Sequence, residues 1–123
     1  MLCYRQTGGK VESMKKVEQE QINEICKTEF GKCMHEITAQ GGLSKFKRLR
    51  SCSARVGETD SYYILQSYNT LVAIIDKNTD TLYDVLRYVY GYTSTSAQHI
   101  AKFRHDYGQG KWGCENEYRY YSV

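Results

Sequence analysis

The chain has 123 residues and a formal net charge of +3, from 17 Lys and Arg against 14 Asp and Glu. A hydrophobic fraction of 41% and a charged fraction of 25% suit one folded domain and exclude a disordered chain, a collagen-like fibre and a membrane bundle. Twelve tyrosines against three phenylalanines, with no proline, favour strands and wet contact surfaces and leave no proline-rich linker.

Residues 1 to 12 contain Gly8-Gly9, show no periodicity and read as a mobile leader, with Met14 as an alternative start. Ser13 suits the N-cap of a helix, because its hydroxyl can accept an orphan N–H of the first turn. From there Ile22, Ile25, Cys26, Phe30, Cys33, Met34 and Ile37 recur at three- and four-residue steps. That spacing predicts an amphipathic helix from Met14 to about Gln40, ended by Gly41-Gly42. Lys15, Lys16, Glu18, Glu20, Glu24, Lys27, Glu29 and Lys32 make its solvated face. Gly31 weakens the helix by about 1 kcal/mol relative to Ala and marks a candidate break. A helix of this length, at about 1.5 Å per residue, outruns a small sheet, so its first turns are expected to overhang.

Residues 43 to 56 carry Lys45, Lys47, Arg48, Arg50 and Arg55, with no acid between Glu36 and Glu58; this stretch reads as one strand. Tyr62–Leu65 and Leu71–Ile75 are short apolar runs joined around Asn69, and Asp76–Asp80 supplies turn chemistry. Leu82–Tyr88 is the expected partner strand of an antiparallel meander. Thr93–Ser96 caps a helix whose apolar face is Ala97, Ile100, Phe103 and Tyr107. Gly108 stands where a left-handed C-terminal cap is wanted, and Tyr118, Tyr120 and Val123 suit a final edge strand. The expected architecture is α+β, a single domain over 13–123. It has an N-terminal amphipathic helix, a small antiparallel sheet of three to five strands, and a second helix that competes for the same sheet face.

No constellation in the chain supports catalysis, a metal or a cofactor. The five cysteines form no C-x-x-C pair, and Cys26, Cys33 and His35 lack a zinc spacing. They read as reduced, core-facing thiols of a cytoplasmic protein, since the first residues lack a signal-type apolar run and no stretch is long enough to span a membrane. His99 and His105 fall on the polar side of their helix, with no nucleophile elbow, no paired carboxylates and no phosphate loop. The protein is therefore expected to be non-enzymatic. Its main electrostatic feature is the run Lys45, Lys47, Arg48, Arg50 and Arg55 with Phe46 interleaved, extended in space by Lys102, Arg104 and His105. Cations beside aromatics hold phosphates and stack bases; the plainer reading is a solvated strand with snorkelling side chains. Tyr83, Tyr88, Tyr90 and Tyr92 read as sheet packing, or as the rim of a protein interface.

Within residues 65 to 107, the run Ser67-Tyr68-Asn69-Thr70-Leu71-Val72-Ala73-Ile74-Ile75-Asp76, then Leu82-Tyr83, then Thr95-Ser96, His99-Ile100 and Lys102-Phe103 resembles an accessory module of phages and mobile elements of Gram-positive bacteria. Its pattern is S-Y-x-T-x-V-A-x-x-D followed by T-S-x-x-H-I-x-K-F. The resemblance implies a temperate-phage accessory protein, some of which act as anti-CRISPR proteins. It implies a host nuclease, a CRISPR effector and its guide RNA, as partner in the host bacterial cytoplasm. The expected overhang of the first helix is free to contact a partner, a second copy of the chain or the basic segment. His99 and Lys102 are the module positions that packing leaves unexplained, so they join the basic run as expected contact residues. The alternative is a small DNA- or RNA-binding regulator.

Overall fold

The computed structural model describes residues 12–43, 46–50 and 52–121, with side chains in the first helix from residue 18 onward. The expected leader lies outside the described residues up to residue 11, and Lys45 lies outside them too. Helix α1 (Glu12–Ala39) runs unbroken through Gly31, so the expected break does not occur. Ser13 lies within its first turn rather than at its cap. The helix ends where Gly41 and Gly42 take φ of +88° and +105°. Gly42 N–H there donates to the Ile37 carbonyl at 2.9 Å, a backbone turn that only glycine makes without strain.

Six strands follow in a single sheet: β1 (Lys47–Arg48), β2 (Ala54–Glu58), β3 (Tyr62–Ser67), β4 (Thr70–Asp76), β5 (Thr81–Asp84) and β6 (Asn116–Arg119), in the order β1-β2-β3-β4-β5-β6. All neighbours are antiparallel except β5 and β6, which run parallel. The expected antiparallel sheet of three to five strands is thus six-stranded and mixed. The single strand expected over 43–56 is two strands, because the chain turns at Arg50, where φ is +54°. Leu82–Tyr88 stops being a strand at Asp84, whose Oδ1 accepts the Leu86 N–H at 3.0 Å and opens the short helix α2 (Leu86–Val89). Helix α3 (Ser94–Tyr107) then crosses the sheet, so β6 returns in the same direction as β5, as a strand after a crossover does.

Strand alternation sorts the core into two layers. On one face Val56, Leu65, Ala73, Ile75 and Leu82 pack with Ile100 and Phe103 of α3. On the other, Tyr62, Ile64, Ile74 and Tyr83 pack with Cys26, Cys33 and Ile37 of α1. The two helices therefore cover opposite faces and do not compete for one. A β-bulge between Leu65 and Gln66 lets Val72 and Ala73 join the same layer. Phe103, fully buried, contributes about 1.5–3 kcal/mol through its removal from water.

The buried stripe of α1 is narrower than its apolar spacing suggests. Ile25 and Met34 are exposed, while the polar Asn23 is buried. Asn23 clamps the far end of the chain: its Nδ2 donates to the Tyr121 carbonyl at 2.8 Å, and its Oδ1 accepts the Tyr121 N–H at 3.1 Å. Gln19 adds a bond to the Arg119 carbonyl at 3.0 Å. Glu29, assigned to the solvated face by its charge, instead accepts the Tyr62 hydroxyl at 2.8 Å. The apolar residues of the expected overhang, Met14 and Val17, have side chains outside the described residues. Among the described residues no helix is long and apolar enough to cross a membrane, and Cys26, Cys33, Cys52 and Cys114 are free thiols.

Gly108 does not take the left-handed cap expected of it; its φ is −72°. Glycine is needed there because a Cβ would sit 2.3 Å from the carbonyl carbon of Gly113. The 108–115 loop that presses on it is held by buried Asp80, which accepts the N–H groups of Gln109 at 3.0 Å and Glu115 at 2.8 Å. These two glycine environments give opposite expectations. Gly31→Ala, where a Cβ meets nothing within 4 Å, should stabilise the protein by about 0.5–1 kcal/mol in urea unfolding. Gly108→Ala should destabilise it by about 3 kcal/mol or more, because the loop backbone must move.

Candidate functional site

The cations expected to act together are separated by the pleat. Lys47 aligns with Val56, and so lies on the α3 face. Arg48 and Arg55 are direct cross-strand partners, and Arg55 aligns with Gln66, which places both arginines on the α1 face, exposed near the sheet edge. Arg50 is not free: its Nε and Nη2 bind both carboxylate oxygens of Asp106 at 2.8 and 2.7 Å. That fork holds the Asp106 carboxyl down to about 2 and ties the β1–β2 turn to the end of α3. Lys102 shares the flank of α3 that carries Asp106, away from Arg48 and Arg55. Phe46 is half-buried: its ring edge packs on Gly57, where a Cβ would lie 3.1 Å from it, and it lines a concavity of about 550 Å³ with Lys47, Tyr63, Lys77 and Tyr107. The basic run thus contributes two exposed arginines on one face, with Lys47, Lys102 and the paired Arg50 on the other.

His99 does not face solvent. It is 3% exposed, and its Nδ1 lies 2.9 Å from Ser67 Oγ, which is also 2.9 Å from Ser96 Oγ. Thr93 Oγ1 accepts the Ser96 N–H at 3.1 Å, so one polar chain docks the start of α3 onto the end of β3. Ser67, Ser96 and His99 are all residues of the sequence pattern described above, and this buried network accounts for them. A serine beside a histidine resembles a nucleophile pair, but both are sealed from solvent, and no carboxylate bonds the ring among the described residues. The expectation that His99 lies on the polar side of its helix is thus corrected: it is buried in the seam between α3 and β3.

A concavity lined by charged side chains lies at the opposite edge of the sheet, at the carboxyl ends of the parallel pair β5–β6. It measures about 310 Å³ and is lined by Asp84, Arg87, Tyr92, Arg104, Arg119 and Tyr121, over an apolar floor that includes Leu86 and Ile100. Arg104 Nη1 bonds Glu117 Oε1 at 2.9 Å, and Arg119 bonds the other oxygen of Glu117 and lies 3.5 Å from Asp84 Oδ2. Burial pushes the Asp84 carboxyl up, against its bond from Leu86 N–H and the nearby Arg119. The Arg87 guanidinium sits 4.6 Å from the ring centre of Tyr92 and 5.1 Å from that of Tyr121. Sequence reading missed this site because its arginines come from α2, α3 and β6. Only the crossover assembles them.

Among the described residues no cluster of His, Cys, Asp and Glu could hold a metal ion. Burial raises the Cys26 and Cys33 thiols to about 12, so both stay protonated and inert at neutral pH. No protein-family model matches this chain, and no curated protein or solved structure matches it either.

Burial, and secondarily the nearby Lys102, lowers the pKa of His99. The folded state keeps the ring neutral, while the unfolded chain takes up a proton near pH 6.5. Its contribution is present above that pH and declines as the pH falls below it. Urea unfolding midpoints should therefore drop between pH 7 and 5, and His99→Gln should flatten that dependence while lowering stability at pH 7 by about 1–3 kcal/mol.

Proposed function

We propose that the protein works by binding, without chemistry of its own, and that its partner carries phosphates: the guide RNA within a host nuclease complex. The observation that carries this reading is the pair Arg48 and Arg55, set directly opposite each other on neighbouring strands and exposed to solvent. Among the described residues neither forms an ion pair. Like charges directly opposite destabilise a sheet, and a phosphate between them removes that repulsion while gaining two charge-assisted bonds. A net charge of +3 speaks against imitation of nucleic acid, which needs dense negative charge, and is too mild to argue for binding by itself, so the local arginine pair carries the attraction. The resemblance to phage accessory modules supplies the setting, an inhibitor of a CRISPR effector.

The direct test is fluorescence anisotropy with single-stranded RNA, bare duplex DNA and a guide-loaded nuclease, at 50 and 200 mM salt. Binding to the loaded nuclease that weakens with salt is expected, with little affinity for bare duplex. Arg48→Glu with Arg55→Glu should weaken it at least tenfold and reduce the salt slope by about 2, with unchanged melting. Arg50→Ala should act differently, lowering stability through loss of the Asp106 fork. Binding of bare nucleic acid alone would instead favour a DNA- or RNA-binding regulator, and binding indifferent to the double charge reversal refutes the electrostatic reading.

A further inference from the structure

We propose that the cavity at the carboxyl ends of β5 and β6 is a binding site for a small phosphate-bearing ligand, gripped by the guanidinium of Arg87. This site is separate from the Arg48–Arg55 edge and does not depend on it. Its lining and the carboxylate beside it carry three arginines, Arg87, Arg104 and Arg119, against two acids, Asp84 and Glu117, leaving one positive charge in excess. Glu117 is shared by Arg104 and Arg119, and Asp84 faces Arg119. Arg87 is the arginine of the cavity that forms no ion pair with a carboxylate among the described residues.

The two tyrosines explain how such a cation is kept in place. With its Cζ 4.6 Å from the ring centre of Tyr92 and 5.1 Å from that of Tyr121, the guanidinium is held between the two rings by cation–π attraction. A cation–π contact does not consume N–H donors, and among the described residues no carboxylate takes those of Arg87, so they are left for a ligand. The apolar floor of Leu86, Ala97 and Ile100 keeps the local dielectric low and so strengthens any bond made there. The position is the one that βαβ geometry offers to ligands, outside the carboxyl ends of parallel strands.

Phosphate fits this arrangement better than carboxylate. A carboxylate satisfies one guanidinium fork, whereas a tetrahedral phosphate turns a further oxygen toward Arg119 or Arg104. A volume of about 310 Å³ stands at the small end of ligand pockets, with room for a phosphate on a sugar-sized or nucleoside-sized group.

Isothermal titration of the full chain with AMP, inorganic phosphate and acetate, each at low ionic strength, tests the site. AMP should bind below about 1 mM, phosphate more weakly, and acetate weakest. Arg87→Met should weaken AMP binding at least tenfold, and Arg87→Lys should restore it only in part, because an ammonium lacks the fork. Asp84→Asn removes the competing negative charge and keeps an oxygen for the Leu86 N–H, so AMP should bind several-fold more tightly. Arg48→Glu with Arg55→Glu should leave AMP binding unchanged, which separates this site from RNA binding. The proposal is overturned by a folded wild-type protein that binds neither AMP nor phosphate at about 10 mM, by acetate binding as well as phosphate, or by unaltered AMP affinity in folded Arg87→Met.

Discussion

Ile64 and Leu65 are adjacent in one strand, Ile74 and Ile75 in the next, and all four are essentially inaccessible to water. Consecutive strand residues point to opposite faces, so this burial requires a cover on each side of the sheet. That constraint governs the rest of the molecule. It assigns α1 to one face and α3 to the other, and α3 reaches its face only by crossing over the sheet from β5. The crossover forces β6 into parallel pairing with β5, and the parallel pair in turn opens a cavity beyond its carboxyl ends.

Polar groups inside the protein sit where these layers are tied together. Ser67, Ser96 and His99 join α3 to β3, Asp80 holds the loop returning from α3, and Asn23 fastens α1 to the chain end beyond β6. Each buried group has its partner, as desolvated polar atoms require. The one exception among the described residues is Arg104 Nε, which belongs to an arginine lining the cavity.

The central strands β3 and β4 hold the apolar core, and the features open to a partner lie toward the two edges. Arg48 and Arg55 stand at the β1–β2 edge, and the arginine–tyrosine cavity stands at the β5–β6 edge. With neighbouring strands about 4.8 Å apart, the two lie far beyond a Debye length of about 8 Å at physiological salt. They therefore act as separate electrostatic sites. One is an open strand edge with two exposed arginines, and the other is a concavity lined by three arginines.

The sequence by itself determined the elements whose signals are local. The three- and four-residue apolar steps determine α1, the β-branched runs around Asn69 determine the β3–β4 hairpin, and Thr93 with Ile100 and Phe103 determines α3. Asp76 makes the turn its side chain predicts, with Oδ1 accepting the Asn78 N–H at 2.8 Å. Only the tertiary structure decided which face each helix covers, because periodicity says that a stripe is buried and not against what. It decided the burial of His99, whose helical position reads as polar until Ser67 is brought beneath it from 32 residues away. It also split the basic run, since a strand sends successive side chains to opposite sides, and it gathered Arg87, Arg104 and Arg119, which share no local spacing. Chain-local patterns encode hydrogen-bonding periods; the joining of distant charges is set by the crossover, which no short window of residues contains.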